Sequence, residues 1–168
     1  FAETVTVGTS GLILDASGTG TVSFGKTITA TGAPGTIDLG SANGAITVTG
    51  NITGKNTVTI LASGSGNISV AGISTSGATA NIDIDTITSG DIVIGGNVSA
   101  SGGGNILLGA DTVSTASGTG NMTINGTVST TGTTASGTIS IGTGGTGTVT
   151  VNKALSTGAA TSPGDINL

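Results

Sequence analysis

Residues 57–80, TVTILASGSGNISVAGISTSGATA, and 81–104, NIDIDTITSGDIVIGGNVSASGGG, share one layout over 24 residues each. In both, an apolar–x–apolar unit is followed by a glycine-containing turn and a second such unit. After a gap of two or three residues comes a short apolar–Ser/Thr–small unit, then small or glycine-rich punctuation. Alternation with period two describes strands with one face in and one face out. Recurrence at a fixed period describes stacked repeats. Three short strands per turn, each lying on its equivalent in the next turn, predict an all-β chain folded as a parallel β-solenoid (β-helix). A β-sandwich also contains evenly spaced short strands, but nothing in a sandwich requires the same layout every ~24 residues.

Extended outward, the layout covers the whole chain as one solenoid domain, residues 1–168. An incomplete turn, 1–10, precedes six turns at 11–35, 36–56, 57–80, 81–104, 105–137 and 138–164, and residues 165–168 begin another. The first-strand columns are Leu12, Ile37, Val58, Ile82, Ile106, Ile139 and Ile166, then Leu14, Leu39, Ile60, Ile84, Leu108, Ile141 and Leu168. Second-strand columns are Val22, Ile46, Ile68, Ile92, Met122 and Val149, then Phe24, Val48, Val70, Ile94, Ile124 and Val151. The third strand contributes Ile28, Ile52, Ile73, Val98, Val128 and Leu155. At ~4.8 Å per turn, six turns make a rod ~30 Å long. Turn 105–137 carries an extra segment, Ala110 to Thr115, expected as a surface loop; the same stretch also reads as two short turns.

Composition narrows the chemistry. Of 168 residues, 33 are glycine, only three are basic, and His, Cys, Trp and Tyr are absent. Disulfides are therefore excluded, and zinc sites, Ser–His nucleophiles and arginine phosphate clamps lack their parts. A net charge of −5 with 1% aromatics leaves nucleic-acid binding without its electrostatic and stacking terms. No apolar run is long enough to span a membrane as a helix. Polysaccharide-cutting β-helices need acid/base groups in a groove; the cations here, Lys26, Lys55 and Lys153, are scattered, and no catalytic, cofactor or metal site is assigned.

Several motifs are read as consequences of the repeat. Gly20 to Thr27 fits the P-loop pattern, but Val22 and Phe24 fall in core columns and no helix can follow. Gly142 to Gly147 fits a dinucleotide fingerprint, which a glycine-rich chain matches easily. Asn81, Asp83 and Asp85 alternate with Ile82 and Ile84 and are expected on one outer face, where a hard cation is the sharper reading and a plain polar surface the simpler one. Asn67, Asn81, Asn105 and Asn121 precede apolar units, where asparagine tolerates turn backbones and can stack amide on amide. Asn51, Asn67, Asn97, Asn121 and Asn125 satisfy Asn-x-Ser/Thr, a pattern the layout itself generates.

The outward columns are hydroxyl-rich: Ser23, Thr47, Ser69, Val93, Thr123 and Thr150 in the second strand, and Thr29, Thr53, Ser74, Ser99, Ser129 and Ser156 in the third. They are read as good strand formers whose hydroxyls link neighbouring turns. The alternative is a hydroxyl array that orders water, as in ice-binding solenoids.

Segments such as Gly66-Asn67-Ile68-Ser69-Val70, Ala80-Asn81-Ile82-Asp83-Ile84 and Gly120-Asn121-Met122-Thr123-Ile124 give the chain a layout that resembles filamentous-haemagglutinin-like bacterial exoproteins and related surface proteins with β-strand repeats. The resemblance is compositional and covers nearly the whole chain. It implies an extracellular or cell-surface fibre or adhesin stalk without catalytic activity, with adhesion conferred by loops or other domains. Glu3-Thr4-Val5-Thr6-Val7 belongs to no complete turn, and Asp165 to Leu168 opens another, so neither edge is capped. Expected partners are therefore other solenoid turns, met end to end in a second copy or as neighbouring repeats of a longer chain, together with host or matrix glycans. Carbohydrate binding or cleavage by a β-helix is the remaining alternative.

Overall fold

The structure, a computed structural model, describes residues 1–33, 35–109, 119–143, 146–159 and 161–168. Their strands are all parallel, and they stack in the predicted register. The first-strand column runs through β2 (Leu12–Ala16), β5 (Ile37–Ser41), β7 (Val58–Ala62), β9 (Ile82–Thr86), β12 (Ile106–Leu108), β15 (Ile139–Ile141) and β18 (Ile166–Asn167), one seven-stranded sheet. The remaining strands form a single eleven-stranded sheet. Its second-strand column holds β3 (Val22–Phe24), β6 (Ile46–Gly54), β8 (Ile68–Thr75), β10 (Ile92–Ile94), β13 (Met122–Ile124) and β16 (Val149–Val151). Its third-strand column holds β1 (Val5–Val7), β4 (Ile28–Ala30), the second halves of β6 and β8, β11 (Val98–Ser101), β14 (Val128–Gly132) and β17 (Leu155–Ala159).

The solenoid is therefore three-columned, but its second and third strands are joined. The corner between them is two or three residues of Gly, Asn, Ala, Thr or Lys, short enough that β6 and β8 run through it with one register shift between Val48 and Asn51. The segment Val5–Val7 pairs with Ile28–Ala30, which makes it the third strand of a preceding turn. Pairing of β12 with β15 and of β13 with β10 and β16 makes 105–137 one turn, not two. The expected loop at 110–115 lies outside the described residues.

The core is a narrow stack of aliphatic side chains in ladders. Ile37, Val58, Ile82, Ile106 and Ile139 are all fully buried, one per turn, as are Ile46 and Ile68 beneath Ile92. Phe24, the bulkiest core residue, is covered by the ring of Phe1, stacked at 4.8 Å between centroids. Each ladder member touches equivalents above and below, so truncation leaves a void that neither neighbour can fill. Ile84→Ala should cost about 2–5 kcal/mol, measured by chemical denaturation.

Two columns of glycine explain how turns come so close at the corners. Gly20, Gly44, Gly66, Gly90, Gly120 and Gly147 each precede the second strand by two residues. A Cβ on Gly44 would fall inside the carbonyl of Gly20, and the same overlap repeats up the column to Gly147 against Gly120. Ala80, Gly104, Gly137 and Gly164 form a second spine before the first strand. None of these glycines has a positive φ; they are required for approach, not for conformation.

Inward-facing hydroxyls brace the same corners. Thr86 donates to the Gly90 carbonyl (2.9 Å) and Thr143 to that of Gly147 (3.0 Å). At the other corner Thr75 donates to Ala80 (2.8 Å), Thr130 to Gly137 (2.8 Å) and Thr157 to Gly164 (2.7 Å). A buried carbonyl without a donor costs ~1–3 kcal/mol, so the buried Thr75, Thr86 and Thr130 belong to the core.

Candidate functional surfaces

Three long faces and two edges are what this fold offers a partner. The face of the seven-stranded sheet presents Ile13, Asp38, Thr59, Asp83, Leu107, Ser140 and Asn167 in one column. A trough along it is lined by Ile13, Asp15, Asp38, Thr59 and Leu61, and continues to Asp83 and Asp85. Asp85, expected on the open face, is only 9% exposed. Among the described residues no three His, Cys, Asp or Glu side chains stand together as a metal site.

The P-loop-like segment is strand, as its core columns require: Val22 and Phe24 are buried in β3, and β4 follows where a phosphate-binding loop would need a helix. Gly144 and Gly145 of the dinucleotide-like stretch lie outside the described residues.

The two hydroxyl columns are in the predicted register, Ser23 to Thr150 and Thr29 to Ser156, with Thr6 extending the second. The expected hydroxyl links between turns are mostly not made. Within the third-strand column only Ser74 bonds a neighbour, donating to Thr53 at 3.4 Å. Vertical spacing of ~4.8 Å is too long for direct O–H···O bonds, which need ~2.5–3.0 Å.

The asparagines do more than the sequence suggested, and differently. Asn67 Oδ1 accepts the Asp91 N–H (2.8 Å), Asp91 Oδ1 accepts the Asn121 N–H (2.7 Å), and Asn121 Oδ1 accepts the Thr148 N–H (3.1 Å). At the corner before the first strand, Asn81 Oδ1 accepts from Asn105 N–H and Asn105 Oδ1 from Thr138 N–H, both 2.8 Å. Asn97 Oδ1 accepts the Thr127 N–H at 3.0 Å. Each amide oxygen thus supplies the acceptor that a backbone carbonyl would supply inside a strand, and Asp91 substitutes for asparagine because it offers the same oxygen. Amide-to-amide bonding is seen where Asn152 Nδ2 donates to Asn125 Oδ1 (2.8 Å). Asn121→Ala should lose about 1 kcal/mol on chemical denaturation, whereas Asn121→Asp should retain most of it.

At the edges, the same columns become accessible. Val149 is 38% and Ile166 41% exposed, while their inner equivalents Met122 and Ile139 are at 1% and 0%. Leu168 does not join the ladder and is exposed.

These features define a parallel β-solenoid repeat protein. No family model, curated protein or solved structure matches the chain.

Proposed function

We propose that this chain is a non-catalytic structural solenoid, part of an extracellular fibre or adhesin stalk. The observation that carries the reading is the stack itself, in which each turn buries the apolar columns of its neighbours from Ile37 to Ile139. Half-exposed apolar columns at Val149 and Ile166 have the spacing and chemistry that bury completely wherever another turn follows. A second copy of the same layout, docked end to end, would extend the stack. Localisation at the cell surface, and host or matrix glycans as adhesion partners, follow from the resemblance to haemagglutinin-like exoproteins. Negative-stain electron microscopy with sedimentation of the purified chain tests it: rods or filaments growing with concentration are expected. Polysaccharide cleavage that survives rigorous purification would overturn the non-catalytic reading.

Ice binding is the second reading, supported by the third-strand column. It is hydroxyl at every level from Thr6 to Ser156, and only Thr53 and Ser74 bond within it, leaving the others for ordered water. Inhibition of ice recrystallisation by monodisperse protein would favour it; no inhibition would remove it.

A further inference from the structure

The face of the seven-stranded sheet differs from the other two in carrying charge. The outward columns of the second and third strands hold hydroxyls and Val93, with no charged side chain. On the seven-stranded face, β2 presents Ile13 and Asp15, β5 presents Asp38 and Gly40, β7 presents Leu61 and β9 presents Asp83. The register places Asp38 directly over Ile13, and Gly40 directly between Asp15 and Leu61. Because Gly40 has no side chain, a depression of about 360 Å³ opens around its level. A smaller one, about 110 Å³, shares Leu61 with it and reaches Asp83. The trough thus runs from β2 to β9, three turn-to-turn steps or ~14 Å along the axis.

Its lining is acidic and apolar at once. Ile13 is 75% exposed, against 39% for Val93, the outward aliphatic of the second-strand face. Leu61, half-buried, lines the same depression. Asp15 and Asp38 are exposed, and neither carboxylate has a hydrogen bond or ion pair among the described residues. The lysines stand elsewhere, Lys26 and Lys153 at corners between second and third strands and Lys55 between a third strand and the next first strand. Complementary charge for this face therefore comes from outside the chain. A second copy does not supply it: face to face, two chains of net charge −5 set carboxylate against carboxylate. A single metal ion does not fit either. Asp38 and Asp83 are two turns apart, ~9.6 Å, whereas calcium takes its oxygens at ~2.3–2.6 Å.

We propose that this trough docks a basic segment of a partner protein in extended conformation. Its Lys or Arg side chains meet Asp15, Asp38 and Asp83, and its aliphatic side chains cover Ile13 and Leu61. An extended segment rises ~3.4 Å per residue, so about five residues span the trough, with every second side chain ~7 Å apart on one face. The long stems of lysine and arginine adapt that spacing to the carboxylates while packing along apolar surface. Opposite charge steers and orients the partner, and salt screens that part of the attraction. Burial of Ile13 and Leu61 adds the part that salt does not screen. A linear polyamine matches the charges alone and has no side chain with which to cover Ile13. The inference is independent of the stalk reading, since it asks only for the face of a single chain.

Fluorescence anisotropy of a labelled Lys-Val-Lys-Val-Lys peptide, titrated with the whole chain at low salt, should show saturable binding that weakens as salt rises. D15N combined with D38N should weaken it about tenfold. D91N combined with D165N removes the same charge from corners outside the trough, keeps the Asp91 Oδ1 acceptor, and should change binding by less than about twofold. I13S should weaken the Lys-Val peptide about threefold and leave pentalysine unaffected. These side chains lie at the surface, so each variant should keep the wild-type circular-dichroism spectrum. Absence of saturable binding, an equal loss in the D91N/D165N control, or indifference to I13S would overturn the proposal. Spermidine or pentalysine binding as tightly as the Lys-Val peptide would overturn it too, reducing the trough to a diffuse attraction for cations.

Discussion

Gly120→Ala should destabilise the solenoid by about 3 kcal/mol, the upper end for overpacking a tightly packed site. For a chain of this size that is roughly a 6–12 °C fall in the circular-dichroism melt. The added methyl would occupy the space of the Gly90 carbonyl in the turn below, which is backbone and cannot rotate away. Relief would mean separating two turns at a corner, and the bonds beside it would go with them: Met122 N–H to Thr148, Asn121 N–H to Asp91 Oδ1, and Ile92 N–H to Asn121. Gly142→Ala is the control. Nothing stands within 4 Å of its Cβ position and its φ is negative, so a change within ~0.5 kcal/mol is expected. Equal melting of the two variants would mean that the spine is not held as closely as described.

Removing residues 57–80 entirely should leave a folded protein, whereas removing 57–68 should not. The longer deletion joins Asn56 to Asn81 and takes out one complete turn, so Ile37 meets Ile82, Ile46 meets Ile92, and Ile52 meets Val98. Every core column remains continuous, and the glycine spine passes from Gly44 to Gly90. The shortened chain loses one layer of burial from a stack in which each layer contacts only its neighbours. Its far-ultraviolet spectrum should retain the strand signature with a modestly lower melting point. The half-turn deletion instead brings the third strand of one turn over the first strand of another. Buried and outward positions then conflict where residues 69–80 meet the turns on either side, the stack is interrupted there, and the expected product is partly unfolded or aggregated. Similar spectra for both deletions would refute the turn register itself.

The columns were legible because two simple signals coincide in this chain: period-two alternation sets which residues face in, and glycine marks where strands stop. Even the irregular turn 105–137 kept its register, since Ile106, Met122 and Val128 can meet their neighbours in only one way. What escaped was whatever depends on the turn above or below. Thr86 and Thr130 carry no pattern in the sequence that marks them, yet they are buried at 6% and 0% because a corner carbonyl needs a donor. Asparagine was placed correctly but given the wrong bond; the lattice wants an oxygen for a backbone N–H, and stacking two amides does not provide one. Continuous strands through the second corner were missed because Gly, Asn and Thr read as turn residues although two or three of them can stay extended. A functional site was hardest to read, since the hydroxyls and amides that cover the surface are the same residues that build it.

Because Ile68 pairs with Ile92 and Ile92 with Met122, the stretch of chain closed on adding a turn is about one repeat long, however many turns already exist. Loop-closure entropy depends on the length of the loop, not of the whole chain. A longer rod of this design would then take time to form in proportion to its number of turns, with no late step waiting for distant ends to meet. Such a chain can zip up in order as it emerges, each finished turn being the template for the next.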